Sequence, residues 1–242
     1  MKPDVVYTLL RPTEEFRHSL RSLKNLPHKN IWVVGTKPYW AKVNFIESKP
    51  ISSEKIANTN HNWLKVARNS QISDPFIMMN DDFFINKPIE SIEPEYLSSN
   101  LKFETYYKSL YPKSKYTQVI QNTSRRLYRL GITDAKSYEL HTPMIIYKKD
   151  IIKALSGYDY FRYPINIRTV AGNLGNYGGK QVRDVKVYGT IKEKYRSLKN
   201  YQDSKFISTD DPAFLDEAGN YIKFKFKEVS KYEISSRNSL SL

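Results

Sequence analysis

The chain contains no cysteine among its 242 residues. It can therefore form no disulfide, offers no thiolate nucleophile and builds no zinc–thiolate site. It has no run of about 18 apolar residues, so no transmembrane helix is expected. The opening Met1-Lys2-Pro3-Asp4-Val5-Val6 leads into a strand-like run without the apolar core of a signal peptide. These absences together predict a cytoplasmic protein. Histidine is scarce: His18, His28, His61 and His141 share no metal-ligand spacing. Glycine is also scarce, and four of the nine glycines fall between Gly172 and Gly179. Their pattern matches neither GxGxxG nor GxxxxGK[ST], so that stretch is not read as a nucleotide loop. No internal repeat and no Pro/Ser-rich linker interrupts the chain, which points to a single domain.

What is abundant is positive charge. Lysine and arginine number 39 against 25 acids, a net charge of +14. Such a surplus favours a polyanionic partner: nucleic acid, a teichoic-acid-like polymer, an anionic membrane or a phosphorylated substrate. The plainer alternative is a lysine-rich, solvated surface. The 19 tyrosines can stack on bases or sugars when they lie among basic residues, or simply fill a core.

The order of elements is legible from apolar periodicity. Val5-Val6-Tyr7-Thr8-Leu9-Leu10 reads as a first strand. Pro12-Thr13-Glu14-Glu15 starts a helix carrying Phe16, Leu20 and Leu23 at helical spacing. Ile31 to Gly35 is a second strand and Val43 to Ile46 a third. This β-α-β opening predicts a parallel sheet with right-handed crossovers. Ile56–Asn69, Tyr116–Leu130 and Asp150–Leu155 read as helices, while 90–138 is otherwise irregular. Residues 221–232 alternate apolar residues with lysine and read as an amphipathic strand or basic tail. Residues 235–242 are expected to fray.

The chemistry centres on Phe76-Ile77-Met78-Met79-Asn80-Asp81-Asp82-Phe83-Phe84. An apolar strand ends abruptly in two acids, and buried acids are costly unless something pairs with them. Asp81 and Asp82 are thus candidate ligands of Mg²⁺ or Mn²⁺, hard cations that prefer oxygen; a polar turn is the simpler alternative. In open α/β sheets ligands gather at the carboxyl ends of strands, so Thr8, Arg11, Gly35 and Asn80 are expected on the same rim. His141 precedes a strand-like run and is the first candidate general base. Phe206 to Asp211 repeats the pattern of a short strand ending in acids, making Asp211 a second candidate, with helix capping before Pro212 as the competing role.

Several segments resemble the Stealth proteins, the sugar-1-phosphate transferases of bacterial capsule synthesis and lysosomal-enzyme tagging. More broadly, the chain looks like a GT-A-type nucleotide-sugar transferase. Asp4-Val5-Val6-Tyr7-Thr8 is similar to the family's DVVYT opening. Leu20-Arg21-Ser22-Leu23, Ile31-Trp32-Val33-Val34 and Pro38-Tyr39-Trp40 are similar to its second region, whose NDDxFF signature Asn80-Asp81-Asp82-Phe83-Phe84 matches. His141-Thr142-Pro143 resembles the HxP of the third region, and Arg168 lies where the fourth region's arginine is expected. Two features depart from the pattern. Leu9-Leu10-Arg11-Pro12 replaces the family's W-V-x-G-S-D, and Gly172 and Asn173 stand where an acid is expected.

The resemblance implies a GT-A-like α/β fold, a mostly parallel central sheet flanked by helices with a basic C-terminal part. Residues 1–90 would form the nucleotide-sugar half and 91–232 the acceptor and catalytic half. It further implies a nucleotide-sugar donor and a divalent metal (Mn or Mg); Arg168, together with Arg11 on the strand-end rim, is the candidate to complement phosphate charge. The acceptor expected from the charge is polyanionic, either phage-type modified DNA or a capsule or teichoic-type glycan, in a bacterial or phage-infected cell. Two other classes compete. A non-catalytic basic nucleic-acid-binding α/β protein would not need Asp81. A metal-dependent nuclease or phosphodiesterase would cleave DNA without any sugar nucleotide.

Overall fold

A computed structural model describes residues 2–190 and 199–234. The chain opens with β1 (Val5–Leu9), α1 (Glu14–Ser22), β2 (Ile31–Gly35), β3 (Asn44–Glu47), α2 (Lys55–Arg68) and β4 (Phe76–Met79). Next come β5 (Phe83–Ile85), β6 (Glu95–Tyr96), β7 (Ser98–Ser99), α3 (Asn100–Leu110) and α4 (Lys115–Arg129). They are followed by β8 (Lys136–Ser137), β9 (Met144–Ile146), α5 (Lys148–Leu155) and α6 (Ile167–Leu174). The last elements are β10 (Lys180–Gln181), β11 (Lys186–Val187), β12 (Phe206–Thr209), α7 (Asp211–Phe214) and α8 (Glu217–Lys225).

The main sheet has five strands in the order β3-β2-β1-β4-β9. Only β9 runs antiparallel to its neighbour. β1, β2 and β4 are near-continuous apolar runs because both faces of a parallel sheet are covered. Period-two alternation divides their side chains. Val6, Trp32, Val34, Phe76 and Met78 pack with Trp63 of α2, Ile151 of α5 and Val170 of α6 on one face. Val5, Tyr7, Leu9, Val33, Ile77 and Met79 pack with Phe16 and Leu20 of α1 on the other.

A second, three-stranded sheet, β11-β12-β5, grows from the end of the first. β5 follows β4 after only Asn80, Asp81 and Asp82. It pairs antiparallel with β12, Phe83 opposite Ser208, and β11 runs parallel to β12, Lys186 opposite Ser208. Helix α1 pins this sheet: Ser22 Oγ accepts the Ile85 N–H at 3.0 Å, and Arg21 clasps Glu233 through two bonds of 2.7 and 2.9 Å. At the opposite end of the main sheet, buried Asp4 accepts from the N–H groups of Asn30 and Ser73 and from Trp32 Nε1. The most recognisable sequence segments therefore serve partly as scaffold.

Two stretches differ from their sequence expectation, and a third, to which the sequence assigned no element, is helical. Residues 217–225 are helix α8, because Ala218, Ile222 and Phe226 recur every four residues and bury one stripe against Phe84 and Ile207. The glycine-containing 165–179 stretch holds α6, whose Ile167, Val170 and Ala171 enter the core. The irregular 90–138 region contains α3, started by Ser99, whose hydroxyl accepts the Lys102 N–H. Lys192, Lys194 and Arg196, part of the strongly basic run that the sequence carries from Lys180 to Lys199, and the 235–242 segment lie outside the described residues. No helix among the described residues is long and apolar enough to cross a membrane.

Candidate active site

The C-terminal ends of β1, β4 and β12 meet around one cleft of about 740 Å³. Thr8 and Arg11 come from the end of β1, Asn80, Asp81 and Asp82 from the end of β4, and Asp210 and Asp211 from the end of β12. Glu15 of α1, Lys55 of α2, Lys186 of β11 and the His141 ring also line the wall. Seven residues expected from sequence are thus brought together: Thr8, Arg11, Asn80, Asp81, Asp82, His141 and Asp211. Gly35 and Arg168 are not on the cleft wall. Gly35 sits at φ +118°, where an added Cβ would lie 2.2 Å from the Leu9 carbonyl oxygen. Glycine is required there for β2 to approach β1. Arg168 donates to the carbonyls of Leu140 and Thr142, both at 2.7 Å, and lies over the Phe83 ring. It lines a separate pocket of about 350 Å³ beside Tyr138 and Pro143.

The two central acids occupy different states. Lys186 Nζ (2.6 Å) and Ser208 Oγ (2.9 Å) both donate to Asp82 Oδ2. Burial alone would raise the Asp82 carboxyl, but the Lys186 charge, His141 and the hydrogen bonds from Lys186 and Ser208 together outweigh it and hold the group below the ordinary carboxylate value. Asp81 is held more weakly, by a 3.5 Å contact from the Thr13 hydroxyl, its own backbone N–H and the Lys55 charge. Burial, with the neighbouring Asp82 charge, pushes it up to about 6. Glu15 is likewise pushed up to about 7, first by burial and then by the charges of Asp82, Asp81 and Asp211, against a hydrogen bond from Thr209 at 3.0 Å. Asp210 N-caps α7 through the Ala213 N–H and also takes the Gly189 N–H. Asp211, one residue later, is free to face the cleft.

His141 is held from two sides. Its ring Nδ1 lies 2.7 Å from Asp184 Oδ2 and its backbone N–H donates to Asp184 Oδ1. Burial would raise the Asp184 carboxyl, yet the facing His141 holds it below the ordinary value. The Arg168 bonds to residues 140 and 142 fix the backbone on either side of this histidine.

Asp184, Lys186 and Glu15 were not singled out by sequence as site residues. A signal existed for the first two. Val185 and Val187 are buried and alternate with Asp184, Lys186 and Tyr188, the period of a half-buried strand, but the surrounding basic run conceals it. Glu15 reads as an ordinary acid of a helix first turn.

Among the described residues no group of three or more His, Cys, Asp or Glu side chains is arranged to hold a metal by itself. Mg²⁺ and Mn²⁺ bound with phosphates, however, commonly use one or two carboxylates, with phosphate oxygens and water completing the shell. Asp81, and the Asp82 oxygen that Lys186 and Ser208 do not contact, form such a pair. Among the described residues the wall also carries five carboxyl groups (Glu15, Asp81, Asp82, Asp210, Asp211) against three cations (Arg11, Lys55, Lys186). An anionic diphosphate entering this cleft would need added positive charge, so the residues fit a divalent cation bound together with its substrate.

No family model matches the chain, and no curated protein matches it in sequence. Among solved structures it is similar to the galactosyltransferase LgtC in complex with donor and acceptor sugar analogues. That likeness has 13% identity and a TM-score of 0.52, and covers 97% of this chain and 98% of that one. A glycosyltransferase involved in glycosylation of the major capsid of PBCV-1 is matched at 11% identity with a TM-score of 0.41, over 92% of this chain and 98% of that one. The fold is therefore that of the GT-A glycosyltransferases: a mixed α/β domain whose mostly parallel central sheet is flanked by helices.

Proposed function

We propose that this chain is a transferase that moves a sugar, or a sugar 1-phosphate, from a nucleotide-sugar donor to an acceptor hydroxyl. The observation that carries this reading is the Asp81–Asp82 pair at the C-terminal end of central strand β4, opening on a large cleft of a GT-A fold. Thr8, Asn80 and Thr13 supply neutral hydrogen-bonding groups for the nucleotide. Arg11, Lys55 and Lys186 supply charge for its phosphates. Asp81 and Asp82 would hold Mn²⁺ or Mg²⁺. When bound, that ion neutralises the diphosphate and stabilises the oxygen that leaves. Asp82 stays ionised through Lys186, and Asp81 loses its proton more readily once positive charge is near.

His141 takes the proton of the acceptor hydroxyl. Ionised Asp184 requires the hydrogen of the ring on Nδ1, which leaves the Nε2 lone pair for the cleft. As the acceptor oxygen bonds to the transferred group, the bond to the nucleotide leaving group breaks and the hydroxyl proton passes to Nε2. Glu15 and Asp211 are two further carboxyl groups within the cleft able to take that proton onward. The NDDFF and LRSL segments support the sugar-phosphate form of the reaction. The surplus of 14 positive charges supports a polyanionic acceptor, either phage-type modified DNA or a capsule or teichoic-type glycan.

The test is thermal unfolding with a panel of UDP-, GDP- and CMP-sugars in the presence of Mn²⁺ or Mg²⁺. A ligand that binds only the native state raises the midpoint by mass action. One nucleotide sugar is expected to raise it in the wild type and to lose that effect in Asp81→Asn. A flat response to every donor, or DNA cleavage with Mg²⁺ alone, overturns the proposal.

A further inference from the structure

We propose that helix α6 is the platform that positions His141, with Arg168 and Asn173 as its positioning residues and neither of them a substrate ligand. The proposal rests on the reading of His141 as the group that takes the acceptor proton, and adds what holds that group in place. His141 lies in the connection that leads from β8 to β9. Side chains of α6 take up backbone polar groups of β8 and of this connection in order. Asn173 accepts the Lys136 N–H at 2.9 Å and donates to the Lys136 carbonyl at 2.7 Å. Thr169, one turn earlier, accepts the Tyr138 N–H at 3.1 Å and donates to Glu139 Oε1 at 2.9 Å. Arg168 closes the series on the Leu140 and Thr142 carbonyls. Backbone polar groups removed from water need partners, and here a helix supplies what a neighbouring strand supplies in a sheet.

The guanidinium of Arg168 is turned to the protein. Both terminal nitrogens donate to carbonyls, and Nε is buried without a hydrogen-bond partner among the described residues. The group also lies 5.7 Å from the centre of the Phe83 ring, whose centroid is 6.1 Å from that of the His141 ring. Arg168 therefore holds the residue before His141, the residue after it and the ring packed against it. Its planar fork is what spans two carbonyls at once. The same register accounts for Gly172 and Asn173, which stand where the sequence resemblance expects an acid. A Cβ on Gly172 would lie 2.7 Å from Tyr138 Cδ2 and 3.1 Å from Met144 Cε, so α6 can lie this close only with glycine there. An ionised aspartate at 173 would accept but not donate. It would remove the amide that now serves the Lys136 and Thr169 carbonyls at 2.7 and 2.8 Å. An acid at either position would undo the register that delivers His141 to the cleft.

The experiment compares wild type with Asn173→Asp and with Arg168→Lys, which keeps the charge facing Glu139 but not the planar fork. Each is checked for a cooperative thermal transition, and Asn173→Ala stands in for either that fails to fold. Long-range proton–nitrogen NMR of protein isotope-labelled at histidine, in mildly alkaline buffer, reports the tautomer of each ring. The His141 signals are those absent from His141→Gln. In the wild type His141 is expected to carry its hydrogen on Nδ1 alone. In the variants a second tautomer or broadening is expected at His141, with His18, His28 and His61 unchanged. Turnover measured as nucleotide release should fall about 10–100-fold, the cost of a displaced catalytic group, while the donor KM and the nucleotide-sugar thermal shift stay at their wild-type values. His141 signals identical to wild type, displacement of every histidine together, or loss of the donor thermal shift in Arg168→Lys each overturns the proposal. If no nucleotide sugar shifts even the wild type, the transfer reading falls, and the tautomer spectra alone decide whether α6 holds His141.

Discussion

Replacing Asp81 with asparagine should stabilise the unliganded protein while disabling it. Asp81 is raised from an ordinary 3.8 to about 6, so the folded chain holds this proton more tightly than the unfolded chain does. Ionising the carboxyl then costs stability as pH rises from the ordinary value through the folded one, and the penalty is complete at pH 7. A shift of that size corresponds to about 3 kcal/mol. Asp82 and Glu15 share in the coupling, so about 2 kcal/mol is the gain expected from Asp81→Asn alone. For a chain of this size that is a rise of about 4–8 °C in midpoint. The assay is thermal or urea unfolding of both proteins in a chelator, from pH 7 down to pH 4. The advantage of the variant should shrink steadily on acidification, because the wild-type carboxyl becomes neutral in the folded state. A variant equal to or less stable than wild type at pH 7, or an advantage that does not change with pH, would refute the claim that Asp81 is a strained, unpaired acid awaiting a cation.

Lys186→Met should have the opposite sign. It strands the Asp82 carboxylate, costing about 2–3 kcal/mol at pH 7 in urea unfolding. The lowered Asp82 value means that the contribution of the pair is present above the ordinary carboxyl range and lost as pH falls through the folded value, so the deficit should narrow in acid. His141→Ala should lower kcat by about 10²–10⁴ in an assay of nucleotide release, with far less effect on donor binding. Asp184→Asn should lower kcat by a smaller factor, about 10–100, because the ring survives but its tautomer is no longer enforced. Gly35→Ala should cost about 3 kcal/mol, since the new Cβ would meet the Leu9 carbonyl at 2.2 Å and the residue sits at φ +118°; a neutral result in urea unfolding would refute the requirement.

The central strand and its acids were legible because their signal is local. An apolar run interrupted by Asp81 and Asp82 specifies a buried strand that must end at something charged. The β1-α1-β2 opening was legible for the same reason, as was the start of α1, where Thr13 accepts the Phe16 N–H. What was hidden depends on pairing between distant segments. Ser208 reaches Asp82 across 126 positions only because β12 pairs with β5 in one register, and nothing in either segment alone fixes that register. Lys186 and Asp184 inherit their places from the same pairing. Helix α6 was obscured differently. Gly172, Gly175, Gly178 and Gly179 invite comparison with phosphate-loop patterns that the stretch does not match, and no element was assigned to it, although Ile167, Val170, Ala171 and Leu174 carry helical spacing.

The charge of the chain and the charge of its cleft have opposite sense, and this separates the two substrates experimentally. A protein with a surplus of 14 positive charges has a site whose wall, among the described residues, holds five carboxyl groups to three cations. The lysine surplus therefore lies largely outside the donor cleft and acts on whatever is bound across the surface. If the acceptor is a polyanion, its binding displaces condensed counterions and weakens linearly in the logarithm of salt concentration. Donor affinity rests on short contacts inside the cleft, which salt screens far less. Raising ionic strength should then increase the acceptor KM steeply and leave the donor KM nearly level. Equal, shallow responses of both constants would mean that the surface lysines are merely solvated and that the acceptor is uncharged.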